Sequence, residues 1–134
     1  MGSERGSNDT GRRELIAATA LGVIIAHGVY RTTYRKIAEA AAVPLGSVTY
    51  YFKTLEDVVC SAFEGLMATV SARYAAALDA AEDQSAACDA VTELVCGDSF
   101  ASEGELVAIY ELYAFSNHND RAHRLMARWL ALSR

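Results

Sequence analysis

The sequence predicts an all-α protein. It has an amino-terminal helix-turn-helix head and a helical body, and three observations carry that expectation. Alanine occurs 25 times in 134 residues against a single proline and nine glycines, and alanine costs no side-chain entropy in a helix while strands favour β-branched residues. Apolar residues recur at helical rather than alternating spacing. Two short helical stretches flank Val43-Pro44-Leu45-Gly46, which breaks a helix because proline disfavours helix at the residue before it and glycine is permissive.

The elements follow in order. Residues 1–10, rich in Gly, Ser, Asn and Asp, read as a flexible leader. Helix one runs from Gly11 to His27, with Asp9 or Thr10 as N-cap and Gly28 as the residue that closes it. Ile16, Ala20, Val23, Ile24 and His27 fall on one face. Thr32 or Thr33 caps a short helix, Tyr34 to Ala42, with Ile37, Ala38 and Ala41 inward. A third helix spans Ser47 to Phe52. Thr54 caps a long fourth helix reaching about Ala81, and Glu56-Asp57 complement the positive end of its dipole. Three further helices are expected at 84–96, 102–116 and 120–132, with breaks at Glu82-Asp83, Gly97-Asp98-Ser99 and Ser116-Asn117-His118-Asn119. The domains are therefore 11–54 for the head and 55–134 for the body.

Composition excludes several classes. With 52% apolar residues the chain has the material for a core and is not globally disordered. Arg12-Arg13 before the apolar run Leu15 to Ala26 imitates an export signal. Glu14 and the helical period identify a core helix instead, and the run is too short to span a bilayer. A cytoplasmic protein with no membrane partner is expected. Three cysteines do not make a disulfide framework; Cys88 and Cys96 read as buried small hydrophobes. His118 and His123 are five apart, wrong for one helical face, so no metal site is expected. No phosphate loop, nucleophile elbow or clustered acid pair suggests an enzyme, and no cofactor is implied.

The net charge of −5 conceals an asymmetry. Residues 11–54 carry six basic and two acidic side chains, a local +4, whereas 59–134 carry five against eleven. Phosphates feel the local field, so a basic head on an acidic body fits a DNA-binding module. Ile37, Ala38, Ala41, Val43, Val48 and Phe52 would pack on helix one. That leaves Leu45, Gly46, Ser47, Thr49 and Tyr50 on the open face of helix three, where they would meet a major groove wide enough for one helix.

On these residues the sequence resembles a known family. Ile16 and Ala20, Gly28, Thr32-Thr33, Ile37-Ala38, Val43 and the run Gly46-Ser47-Val48-Thr49-Tyr50-Tyr51-Phe52 make Leu15 to Val58 similar to the amino-terminal domain of TetR-type (tetracycline repressor-like) transcriptional regulators. The run Leu106 to Tyr113 is similar to the sixth helix of many members. The resemblance implies phosphate contacts from Thr33, Tyr51, Lys53 and the backbone at Thr54. It implies base contacts from Leu45, Gly46, Ser47, Thr49 and Tyr50, with Arg31, Arg35 and Lys36 adding charge. On the residues alone, Thr33 also fits a simple N-cap, Tyr51 a partly core residue and Arg35 a solvated helix position. The chain departs from the family at Ala42, where glycine is usual, and at Leu55, where lysine is usual and Lys53 would substitute. Members usually continue through two further helices that build most of the dimer interface, whereas this sequence ends at Arg134. Either those helices lie beyond it or the protein is shortened.

The resemblance also implies a small-molecule inducer pocket in the body, and the apolar and aromatic stripes at helical spacing make Phe63, Met67, Tyr110, Tyr113 and Trp129 the candidate lining residues. An aromatic stripe at helical spacing is more often plain core, and the same residues would serve as that. The expected function is a ligand-responsive regulator, a repressor binding double-stranded palindromic operator DNA as a homodimer and released by an apolar or aromatic inducer. The alternative is a helical ligand-binding or protein-interaction module with a vestigial head.

Overall fold

The computed structural model describes residues 2–96 and 103–132. Among them every regular element is helical: α1 Gly2–His27, a 3-10 turn Val29–Arg31, α2 Tyr34–Ala41, α3 Leu45–Tyr51, α4 Leu55–Ala80, α5 Gln84–Cys96, α6 Glu103–Ser116 and α7 Asp120–Leu132. The break expected at Gly97-Asp98-Ser99 lies outside the described residues.

The core is continuous from head to body. In α1, Ile16, Ala20, Val23 and Ile24 are buried, the period set by 3.6 residues per turn. They meet Ile37 and Ala38 of α2, Val48 of α3, Phe52, and Val58, Val59, Ala62, Phe63, Leu66 and Val70 of α4. Ala108 and Leu112 of α6 and Ala122, Leu125 and Met126 of α7 extend the same cluster. Helix α1 thus braces both halves, packing on α2, α4 and α6, while α5 rests on α4.

Caps explain most boundaries. Thr54 accepts from the Asp57 N–H and Asp57 returns a carboxylate to the Thr54 N–H, both at 3.1 Å, a capping box that starts α4. The Asp83 carboxylate accepts from Ala86 N–H at 2.7 Å and the Asn119 side-chain oxygen from Ala122 N–H at 2.9 Å, opening α5 and α7. At the end of α2, Val43 N–H bonds to Ala38 and Ala42 N–H to Glu39, the paired closure that needs a left-handed residue. Ala42 supplies it at φ 54°, ψ 44°.

Several expectations are corrected. Helix α1 begins at Gly2 rather than Gly11, so the expected leader is helical; once a helix is nucleated, each further turn needs no apolar partner. Helix α3 begins at Leu45 rather than Ser47 because Pro44, extended at φ −61°, ψ 148°, is its N-cap. His27 is exposed rather than ending the core face of α1. Cys88 is exposed too, whereas Cys60 is the buried thiol; the Cys96 side chain lies outside the described residues. In α6 the inward positions are Ala108, Leu112 and Ser116, so Tyr110 and Tyr113 face solvent, 72% and 61% exposed.

Candidate DNA interface

The surface is built on two anchors. Val48 and Phe52, four residues apart, are fully buried, which fixes the rotation of α3 about its axis. Leu45, Gly46, Thr49, Tyr50 and Lys53 are consequently all exposed, and Ser47 is half-buried beside them. Nothing approaches within 4 Å of the place a Cβ would occupy at Gly46, so at that point the backbone itself is open to close approach. Thr49 donates its hydroxyl to the Gly46 carbonyl at 3.1 Å, leaving its oxygen outward. The Tyr50 and Tyr51 rings meet edge to face with centroids 5.0 Å apart, which orients the exposed Tyr50 ring.

The expected phosphate contacts divide. Lys53 and Thr33 are exposed, and Thr33 accepts from the Lys36 N–H at 3.2 Å while its own hydroxyl proton stays available. The N-cap role and a phosphate contact are compatible. The Lys36 ammonium donates to the Arg31 carbonyl at 2.7 Å, holding it at the rim of α2. Tyr51 is half-buried and its hydroxyl donates to Asp9 at 3.0 Å; loss of exposure and the neighbouring Asp9 carboxylate raise its pKa. The backbone N–H of Thr54 is committed to Asp57, so the donor the resemblance implied there is engaged within the chain. Leu55, where the family usually has lysine, packs against the core.

Long-range contacts that no local sequence signal announces hold the start of α4 to α7 and the 3-10 turn to α6. Arg121 of α7 pairs with Asp57 at 2.5 Å and Asn119 donates to Glu56 at 3.0 Å, both in the first turn of α4. Glu111 of α6 accepts from the Val29 N–H at 2.9 Å, capping the 3-10 turn that follows α1. Only the T-x-x-D spacing of Thr54 and Asp57 was available as a local signal; the partners lie 64 and 82 residues away.

Open grooves border α4 on two sides. One, about 560 Å³, runs between α4 and α7 past Cys60, Glu64, Arg121 and Arg128. The other, about 490 Å³, lies between α1 and α4 past Arg13, Leu21 and Thr69. None of the five expected pocket residues lines either groove. Phe63 is core, Met67 and Trp129 are half-buried against it, and Tyr110 and Tyr113 stand on the outside of α6. The structure gathers Phe63, Met67 and Trp129 at one core and sets Tyr110 and Tyr113 apart from them.

A short helix held by its inner face against a bracing helix, one tight turn after another short helix, is the helix-turn-helix arrangement that DNA-binding regulators use. Comparison with known proteins places it further. The family model for bacterial regulatory proteins of the tetR family matches residues 16–60. The chain is 36% identical to SCO7518 from Streptomyces coelicolor A3(2), described as a transcriptional regulator, with a TM-score of 0.82 over 90% of this chain and 69% of that one. It is 29% identical to SCO1917, a TetR-family member from Streptomyces coelicolor A3, with a TM-score of 0.71 over 88% and 68%. It is 30% identical to the multidrug binding protein EbrR in complex with imidazole, with a TM-score of 0.68 over 88% and 66%. No curated protein matches. The chain belongs to the TetR family of transcriptional regulators and spans about two thirds of the length of these relatives. Among the described residues no helix is long and apolar enough to cross a membrane.

Proposed function

We propose that the chain acts in the cytoplasm as a ligand-responsive repressor rather than an enzyme. It binds a palindromic operator as a homodimer and is released by a small molecule. The observation that carries this reading is the exposed face of α3, Leu45, Gly46, Thr49 and Tyr50 with Lys53 beyond it, standing on buried Val48 and Phe52. Two such helices would enter successive major grooves about 34–36 Å apart. In this reading Thr49, Tyr50, Leu45, Gly46 and Ser47 read base edges, while Lys53, Thr33 and Tyr51 hold phosphates.

The inducer reading is supported by the neighbour EbrR, whose structures hold malachite green and proflavin, both aromatic molecules. Met67 and Trp129, half-buried at the edge of the core, are the side chains through which an aromatic ligand would reach the interior. Release follows if the ligand binds more tightly to the arrangement that does not fit the operator. Head and body communicate through the first turn of α4, where Asp57 and Glu56 are held by Arg121 and Asn119.

The test is fluorescence anisotropy with a duplex from upstream of the chain's own gene, a scrambled duplex, and two salt concentrations. Lys53→Ala should weaken both duplexes alike and shrink the salt slope by about one. Thr49→Ala and Tyr50→Ala should change the preference between duplexes. Equal effects of all three on both duplexes would refute this division of roles, and absent binding would favour the helical interaction module.

A further inference from the structure

Helix α1 extends well beyond its core. From Asn8 to Leu15 every residue is exposed, and burial begins at Ile16. Yet this stretch is not isolated, because it lies against the recognition helix. Asp9 accepts from the Tyr51 hydroxyl at 3.0 Å. The Arg13 guanidinium sits 4.7 Å from the centroid of the Phe52 ring, a cation–π contact across the same junction. Arg12 is exposed and near enough to Tyr51 for its charge to favour the ionised phenol. Asp9, Arg12 and Arg13 stand at i, i+3 and i+4, one helical face.

A duplex that receives α3 in its major groove presents a phosphate strand on either side of that groove. The strand on the Tyr51 side passes the exposed turns of α1. We propose that these turns belong to the DNA surface: Arg12 binds a backbone phosphate beside Tyr51, and Asp9 competes with that phosphate for the Tyr51 hydroxyl. The inference rests on the reading of α3 as the DNA-contacting helix. Free of DNA, the Asp9 carboxylate occupies the hydroxyl and keeps a negative charge at the rim of the site. On binding, the hydroxyl turns to the phosphate, one charge-assisted hydrogen bond replacing another. Arg12 then supplies the cation that offsets the nearby Asp9 charge. Neither side chain reads a base, so both act on affinity and not on sequence choice.

The experiment measures anisotropy on the upstream and scrambled duplexes across a salt series for Asp9→Asn, Arg12→Ala, Tyr51→Phe, the double variant Asp9→Asn/Tyr51→Phe, and Lys53→Ala as reference. Asp9→Asn should tighten both duplexes about threefold or more, up to about twofold from the like-charge repulsion removed at roughly 8 Å in water and the rest from the freed Tyr51 hydroxyl. Arg12→Ala should weaken both about fourfold or more and reduce the salt slope by about one. The Asp9→Asn gain should shrink in the Tyr51→Phe background. If Lys53→Ala weakens binding while Asp9→Asn and Arg12→Ala match the unaltered protein, the α1 contact is purely structural and the proposal is overturned. An undiminished Asp9→Asn gain in the Tyr51→Phe background overturns the competition for the hydroxyl. If Lys53→Ala is silent as well, the reading of α3 fails and takes this one with it.

Discussion

The Arg121 guanidinium lies 2.5 Å from a carboxylate oxygen of Asp57, joining the first turn of α7 to the first turn of α4. The same Asp57 closes the capping box with Thr54, three residues past the end of α3. One side chain therefore both starts α4 and ties it to α7. Hydrogen bonding from Arg121, reinforced by Thr54, outweighs partial desolvation and holds the Asp57 carboxyl below its ordinary pKa.

A carboxyl whose pKa is lowered by folding contributes stability above its unfolded pKa of about 4. That contribution is lost as pH falls through the lower folded value. Both side chains are a third or more exposed, so the pair is worth about 0.2–1 kcal/mol. Arg121→Ala should lower the melting temperature slightly at neutral pH. The gap to the unaltered protein should narrow as pH falls below the unfolded value and close once the carboxyl is protonated in the folded chain too, as thermal melts followed by circular dichroism across pH would read. A gap that persists unchanged in acid would show that Arg121 acts through packing alone.

Ala42 holds a left-handed backbone, φ 54°, whose steric cost of about 1–2 kcal/mol for an alanine exceeds the extra folding entropy of about 0.4–1 kcal/mol that a glycine would lose. Ala42→Gly should therefore stabilise the protein by about 1 kcal/mol, roughly 3–5 °C in melting temperature for a chain of this size. It sits in the turn between α2 and α3, so a destabilised variant would mean that the turn is shaped by something other than local strain.

At Gly28 the sign reverses. Its backbone, φ 83° and ψ 160°, is a region essentially reserved for glycine, and an added Cβ would stand 3.4 Å from the Glu111 carboxylate. Gly28→Ala should cost about 1–3 kcal/mol in denaturant titration. Glu111→Ala, which leaves the Val29 N–H without its 2.9 Å acceptor, should cost about 1 kcal/mol. No loss in either variant would remove the 3-10 turn as a fixed joint between head and body.

The thiols should differ in reactivity. Burial raises the Cys60 pKa above its ordinary value, and Cys60 is 1% exposed, whereas Cys88 is exposed. Since the thiolate is the nucleophile, mass-mapped alkylation at neutral pH should label Cys88 while Cys60 waits for unfolding. Equal labelling of the two in the folded protein would place Cys60 on an open surface instead.

Much of the helical plan was legible because it is local. α5 and α7 were expected at the residues where they occur, and α4 within a residue of its end, since Thr54, Asp83 and Asn119 act on neighbours three residues away. The inner faces of α1 and α2 were legible for the same reason, apart from exposed His27 and from Ala41, which is half-buried outside the core cluster. The face of α3 followed once Val48 and Phe52 were recognised as one apolar stripe. α6 shows the limit. Periodicity finds which side chains share a face but not which face is turned inward, and the larger tyrosines drew the reading away from Ala108 and Leu112, the buried pair.

By itself, then, the sequence determined the helices, the break at Pro44, the exposed α3 surface and the family likeness, because caps, turns and periods operate within one or two turns of chain. The tertiary structure alone decided that Asp57 meets Arg121, that Glu111 caps the turn at Val29, that Asp9 reaches Tyr51 and that Tyr110 and Tyr113 face outward. Each of these depends on where two helices cross. A crossing is fixed by the summed packing of a shared core, and no short stretch of sequence contains it.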